Sequence, residues 1–146
     1  MPYETQYVDS EKGVLKIGSG IVTGAEILQT ATQQSLDERS RKLKYALVDF
    51  SQMTEMKISS EIVRQMVEIN RKTAQLAPGV VVAILAPSPL AYGMSRVWQS
   101  FAHDLGWTSN VFHTRADAVG WLIKQLGKDV PAHEIPDQFP SLKIEG

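Results

Sequence analysis

Two short runs constrain this fold more than any other feature. "YALVDF" (45–50) and "VVVAIL" (80–85) are continuous, rich in β-formers, and carry a single charge between them, Asp49. A sheet with one wet face shows alternation. Unbroken apolar runs of this length point instead to strands buried on both faces, as in a parallel sheet covered by helices. Between the runs, Ile62, Met66, Ile69, Thr73 and Leu76 recur at helical spacing, with Val63 and Val67 beside them. That pattern predicts an amphipathic helix from about Ser60 to Leu76, ended by Pro78 and Gly79. Strand, helix, strand is the unit of a right-handed crossover.

The flanking segments continue the alternation. "YETQYV" (3–8) and "VLKI" (14–17), joined by the turn "DSEKG" (9–13), read as a hairpin. "TGAE" (23–26) is a capping box opening a helix that runs to about Glu38. Ile27, Leu28 and Ala31 are its few apolar positions, and the cations of "RSRKLK" (39–44) suit its C-terminal end. After the second apolar run, Ser88 as N-cap and Pro89 at N1 open a helix. Its stripe is Leu90, Met94, Val97, Trp98, Phe101 and Leu105, stopped by Gly106. "NVFH" (110–113) gives a last strand, and Thr114 with Asp117 caps a helix to about Leu126. The order β-β-α-β-α-β-α-β-α predicts one α/β domain over residues 1–126. Its sheet is mixed but mostly parallel, with about five strands and about four helices. Residues 127–146 carry Pro131, Pro136 and Pro140 without helical period, which predicts an extended tail.

Composition narrows the function classes. The 146 residues are 43% apolar and 21% charged, enough for one domain with a core. A net charge of -1 argues against nucleic-acid binding by bulk electrostatics. With no cysteine, disulfides, thiolate nucleophiles and iron–sulfur clusters are excluded. The opening "MPYETQYVDS" has no apolar signal segment, and the longest apolar run, "VVVAILA" (80–86), is too short for a bilayer. A cytoplasmic protein without stable membrane insertion is expected. His103, His113 and His133 are dispersed, so no metal site is expected. "GSGIVTG" (18–24) reads as turn glycines before a capped helix, because no P-loop lysine follows. No cofactor is expected either.

Ligands of open α/β sheets meet the C-terminal ends of the strands. Residues 49–60, 86–89 and 113–114 converge there and offer Asp49, Ser51, Met53, Met56, Ser59, Ser60, Ser88 and His113. Ser59 and Ser60 precede a helix. Either is a candidate helix cap, and either is a candidate phosphorylation site, since a phosphate there would meet free N–H groups. Ser51, Met53, Met56, Lys57 and Glu61 form a candidate interaction surface on a loop, where flexible methionines suit adaptable contacts. Met66, Tyr92, Met94 and Trp98 form a candidate apolar pocket. Ser88, His113 and Asp49 can be written as a triad, but no G-x-S-x-G elbow is present, so no enzyme is expected.

These segments also carry a resemblance. "LVDFS" (47–51) followed by "ISSE" (58–61) resembles STAS domains, in which Leu-Asp-Leu-Ser leads to Asp-Ser-Ser-Gly at a helix start. "APSPLAYGMSRVW" (86–98) and "FHTRADAVGWL" (112–122) are similar to the bacterial SpoIIAA-like group. The resemblance covers roughly residues 3–126. It implies a STAS fold and, in its antagonists, a serine phosphorylated by a partner kinase. Here Ile58 stands for the aspartate and Glu61 for the glycine, so a cap is expected where the resemblance places a switch. The group also resembles lipid carriers of the Sec14 type. Two functions follow. One is a non-enzymatic regulatory module that binds a protein partner through the 51–60 loop and the next helix. The other is a carrier or sensor of an apolar, lipid-like molecule between helices 60–76 and 90–105 and the sheet. Both leave homodimerisation open.

Overall fold

Strand pairing follows chain order. β1 (Tyr3–Val8) and β2 (Gly13–Thr23) form the antiparallel hairpin. β2 then runs parallel to β3 (Tyr45–Lys57), β3 to β4 (Val81–Leu85), and β4 to β5 (Thr108–Phe112). The helices are α1 (Gly24–Leu36), α2 (Ser60–Leu76), α3 (Pro89–Phe101) and α4 (Arg115–Leu126). The structure is a computed structural model and describes residues 2–127. The expected tail, Gly127 apart, lies outside the described residues.

The strand order decides which face each helix covers. Each parallel strand is added on the same side of the last one, and crossovers share one hand. α1, α2 and α3 therefore stack on a single face. Among the described residues only α4, which leads to no further described strand, covers the other. Two cores result. Val14, Val22, Phe50, Val63, Val67 and Trp98 belong to the three-helix face. Leu15, Leu47, Leu85 and Leu122 belong to the α4 face. The alternation of Val14 with Leu15 is the strand's two-residue period.

Local signals place the helix starts. Thr23 and Glu26 form the capping box, with the Thr23 N–H donating to Glu26 Oε1 at 2.9 Å and the Glu26 N–H to Thr23 Oγ1 at 3.3 Å. Ser88 caps α3 by accepting from the Ala91 N–H at 3.1 Å, and Thr114 caps α4 by accepting from the Asp117 N–H at 3.2 Å.

Several expectations are corrected. Residues 18–24 are not a turn, because β2 continues through them to Thr23. Gly20 takes φ +59° at an irregularity in the β2–β3 register, a conformation that favours glycine. Residues 51–57 are not a loop, because they lengthen β3. The cations after α1 lie in a separate 3-10 turn, Glu38–Lys42, capped by Asp37. α3 ends at Phe101, before the expected Gly106, and Leu90 is 54% exposed. The last strand is Thr108–Phe112, which leaves His113 outside it. On α2 the buried line is Val63, Val67, Asn70 and Thr73. Ile62, Met66 and Ile69 flank it half-buried, since α2 lies between α1 and α3 and uses both shoulders of its stripe. The α1–α2 approach is close. A Cβ at Gly24 would lie 3.1 Å from Ile62.

Candidate functional site

The outer half of β3 is shaped by two bulges. Between Asp49 and Gln52, and again between Met53 and Glu55, β3 has one residue more than β2 opposite it. Such insertions bend a strand and re-aim its side chains. Asp49 fixes the first one. Its Oδ1 accepts from the Ser51 N–H at 2.8 Å and the Ser51 hydroxyl at 2.6 Å. Its Oδ2 accepts from Arg115 Nη2 at the start of α4. Asp49 is 0% exposed, so the aspartate of "LVDFS" holds a strand and a helix together beneath the surface.

The bulges sort the expected interaction residues. Ser51, Lys57 and Glu61 are exposed. Met53 is half-buried against the three-helix core, and Met56 is 7% exposed within it. A regular strand would send residues three apart to opposite faces; the bulge between them sends both methionines inward. Met56 is thus corrected from surface to core.

The serine pair divides cleanly. Ser59 is the N-cap of α2, its Oγ accepting from the Ile62 N–H at 3.3 Å. Ser60 is the first helical residue, exposed, with no side-chain hydrogen bond among the described residues. Next to it, Glu61 faces Arg64 at 3.7 Å, and Arg64 lies over the Phe101 ring at 4.4 Å.

A cavity of about 80 Å³ lies between the sheet and α1–α3. Met66, Met94 and Trp98 of the expected apolar pocket line it, joined by Met56. Tyr92 is not among its lining residues. Its ring stacks on His113, with centroids 4.2 Å apart and planes 6° apart. Trp98 Nε1 donates to Asn70 Oδ1 at 3.0 Å, a buried bond that ties α3 to α2. Ser88, His113 and Asp49 each have another engagement, as a cap, a stacked ring and the bulge anchor. No group of histidines, aspartates and glutamates among the described residues could hold a metal ion.

One cavity residue escaped the sequence reading. Lys16, in "VLKI", is 5% exposed and lines the cavity. It has no hydrogen bond or ion pair among the described residues. Burial alone pushes its ammonium pKa down to about 8. Burial also raises the Tyr3 phenol, another wall residue. Lys16 shares a strand face with Val14, and the place of β2 between β1 and β3 is what turns that face to the core. Reading "VLKI" as the second strand of a hairpin assigns that lysine to neither face.

No protein-family model and no curated protein matches the chain. Solved structures do. The anti-sigma factor antagonist SpoIIAA in its unphosphorylated form matches with a TM-score of 0.52 at 18% identity, covering 82% of this chain and 96% of that one. Bacillus SpoIIAA in the phosphorylated form matches at 0.50 and 19%, covering 82% and 98%. A DUF3478 protein with a SpoIIAA-like fold from Shewanella loihica matches at 0.52 and 17%, covering 82% and 91%. The chain has the SpoIIAA-like fold of STAS domains. Within that fold, no helix among the described residues is long and apolar enough to cross a membrane.

Proposed function

We propose that this chain is a non-enzymatic regulatory module that binds a protein partner through the outer part of β3 and the first turn of α2. The observation that carries the reading is a set of exposed polar side chains, Ser51, Lys57, Ser60 and Glu61, at the C-terminal end of the longest parallel strand. That is where partners meet such sheets. The likeness to SpoIIAA, named an anti-sigma factor antagonist and solved in two phosphorylation states, lends support at the level of the fold. Supporting the non-enzymatic part is the dispersal of Ser88, His113 and Asp49 into structural contacts.

The serine pair takes two roles on this reading. Ser59 holds the helix end, and Ser60 is the hydroxyl open to modification. A phosphate on Ser60 would lie at the positive end of α2, beside Glu61, with Arg64 as the nearby cation.

The test is affinity purification of the full chain from its own host, with quantitative mass spectrometry. Lys57→Glu with Glu61→Lys, and separately Ser60→Asp, are expected to deplete the same partner. Lys124→Glu on α4 is expected to keep it. A partner set unchanged by all strip variants sinks the reading.

A further inference from the structure

We propose that the cavity beneath α1–α3 binds a small apolar monocarboxylic acid, with the Lys16 ammonium holding the carboxylate and the Met- and Trp-lined walls holding the hydrocarbon body. The cavity takes Met56 and Ile58 from the stretch that carries the partner-binding strip, but the proposal stands without that reading.

The argument starts from Lys16. It is 5% exposed, and β-ladder pairing sets Thr5 on one side of it and Val48 on the other, both uncharged. Buried cations in proteins are normally paired, because desolvation of a lone charge is costly. Among the described residues no acid meets Lys16, yet the cavity that Lys16 lines supplies space. An anion entering that space would complete the pair and gain a charge-assisted hydrogen bond.

The walls define the rest of the ligand. The other polar side chains lining the cavity, Tyr3, Gln34, Asn70 and Ser95, are neutral groups. One ammonium among neutral groups balances one negative charge, which suits a carboxylate and not a phosphate dianion. Gln34 is 7% exposed, and its side chain has no hydrogen bond among the described residues, so its amide remains available to the head group. The remaining lining is apolar and includes Met56, Met66 and Met94, whose flexible side chains adapt to a ligand's shape. A volume of about 80 Å³ limits the body to a few carbons; a single water needs roughly 10–15 Å³ of such space.

A polar groove of about 300 Å³ runs between β1 and α1. Tyr3 and Gln34 line both hollows, so the groove adjoins the cavity. The groove offers no rival anion site, since its one cation, Arg39, is held by Asp37 at 2.7 Å.

The experiment titrates the full chain with hexanoate, hexan-1-ol and hexylammonium. It follows the indole N–H signals of Trp98 and Trp107, both in the cavity wall, by two-dimensional NMR. Hexanoate is expected to move both signals and to bind at least about tenfold more tightly than hexan-1-ol, one ion pair's worth of preference. Hexylammonium is expected to leave them in place. In Lys16→Met the acid preference falls to near parity while hexan-1-ol still moves the indoles. Lys124→Glu, which removes an exposed cation on the α4 face, keeps the preference. The proposal is overturned by equal binding of acid and alcohol in the wild type. It is equally overturned if the preference survives in Lys16→Met or is lost in Lys124→Glu, or if hexanoate shifts signals only at the surface. Should Lys16→Met give the spectrum of an unfolded chain, the wild-type comparison of acid with alcohol decides alone.

Discussion

The two faces of the sheet each bury one charged strand residue and treat it in opposite ways. On the α4 face, Asp49 is wholly enclosed and accepts from Ser51 and Arg115. The core around it belongs to a single helix. On the three-helix face, Lys16 has no protein partner among the described residues, and the packing around it leaves a cavity. A buried charge supplied with hydrogen bonds by its own chain works as a structural clamp. One left without them, beside empty space, has the character of a binding group. The difference separates a face built for cohesion from one that gives up some cohesion for a site.

The sharpest way to break this comparison is to remove each charge. Asp49→Ala leaves Arg115 without its Asp49 carboxylate and frees the bulge at Ser51. Urea unfolding should show a loss of about 4 kcal/mol, the scale of a broken buried pair. A loss below about 1 kcal/mol would mean that Asp49 is no clamp.

Lys16→Met should move in the other direction. The native pKa is lowered from 10.5 to about 8 by burial, so near pH 7 folding carries an uncompensated cost. At about 1.4 kcal/mol per unit, the variant gains up to about 3 kcal/mol. The pH profile checks the same point. Between about pH 8 and pH 10 the unfolded chain keeps the lysine proton while the native chain releases it, so wild-type stability rises with pH. Lys16→Met should flatten that rise. Above this window the buried Tyr3 and half-buried Tyr7 phenols, both raised by burial, act with the opposite sign. A wild-type profile with no rise, or a destabilised Lys16→Met, would erase the contrast between the faces.

Smaller effects sharpen the comparison. Trp98→Phe strands the buried Asn70 amide oxygen and should cost about 1.5 kcal/mol in thermal unfolding. It should also raise the mobility of the α2–α3 pair relative to α4 in hydrogen exchange. Ser59→Ala and Thr114→Ala remove matched caps on opposite faces and should each cost about 1 kcal/mol. Ser60→Ala should change stability by less than about 0.5 kcal/mol, because Ser60 caps nothing.

Much of this was legible in the chain. The four helix starts are set by local chemistry, Thr23, Ser59, Ser88 and Thr114 each accepting from a backbone N–H of the first turn. "YALVDF" and "VVVAIL" declare buried strands through composition alone. The resemblance carried by "LVDFS" and "ISSE" matches the fold. Of the pocket residues, Met66, Met94 and Trp98 meet at one cavity because helical spacing put them on neighbouring faces.

Other features depended on contacts between segments far apart in sequence. Nothing within "SQMTEMK" (51–57) reveals that Ser19–Thr23 runs beside it and keeps it a strand, nor that the added residues turn Met53 and Met56 into one core. Nothing within "VLKI" reveals that β2 is an inner strand, which is what encloses Lys16. Short-range signals act through hydrogen bonds and periodicity inside one element, so the sequence by itself determined the elements, their caps and the alternating order. Strand order and register depend on the free energy of the whole packed sheet. Only the tertiary structure could decide that three helices share one face, that Asp49 meets Arg115, and that Lys16 lines a cavity where no acid among the described residues meets it.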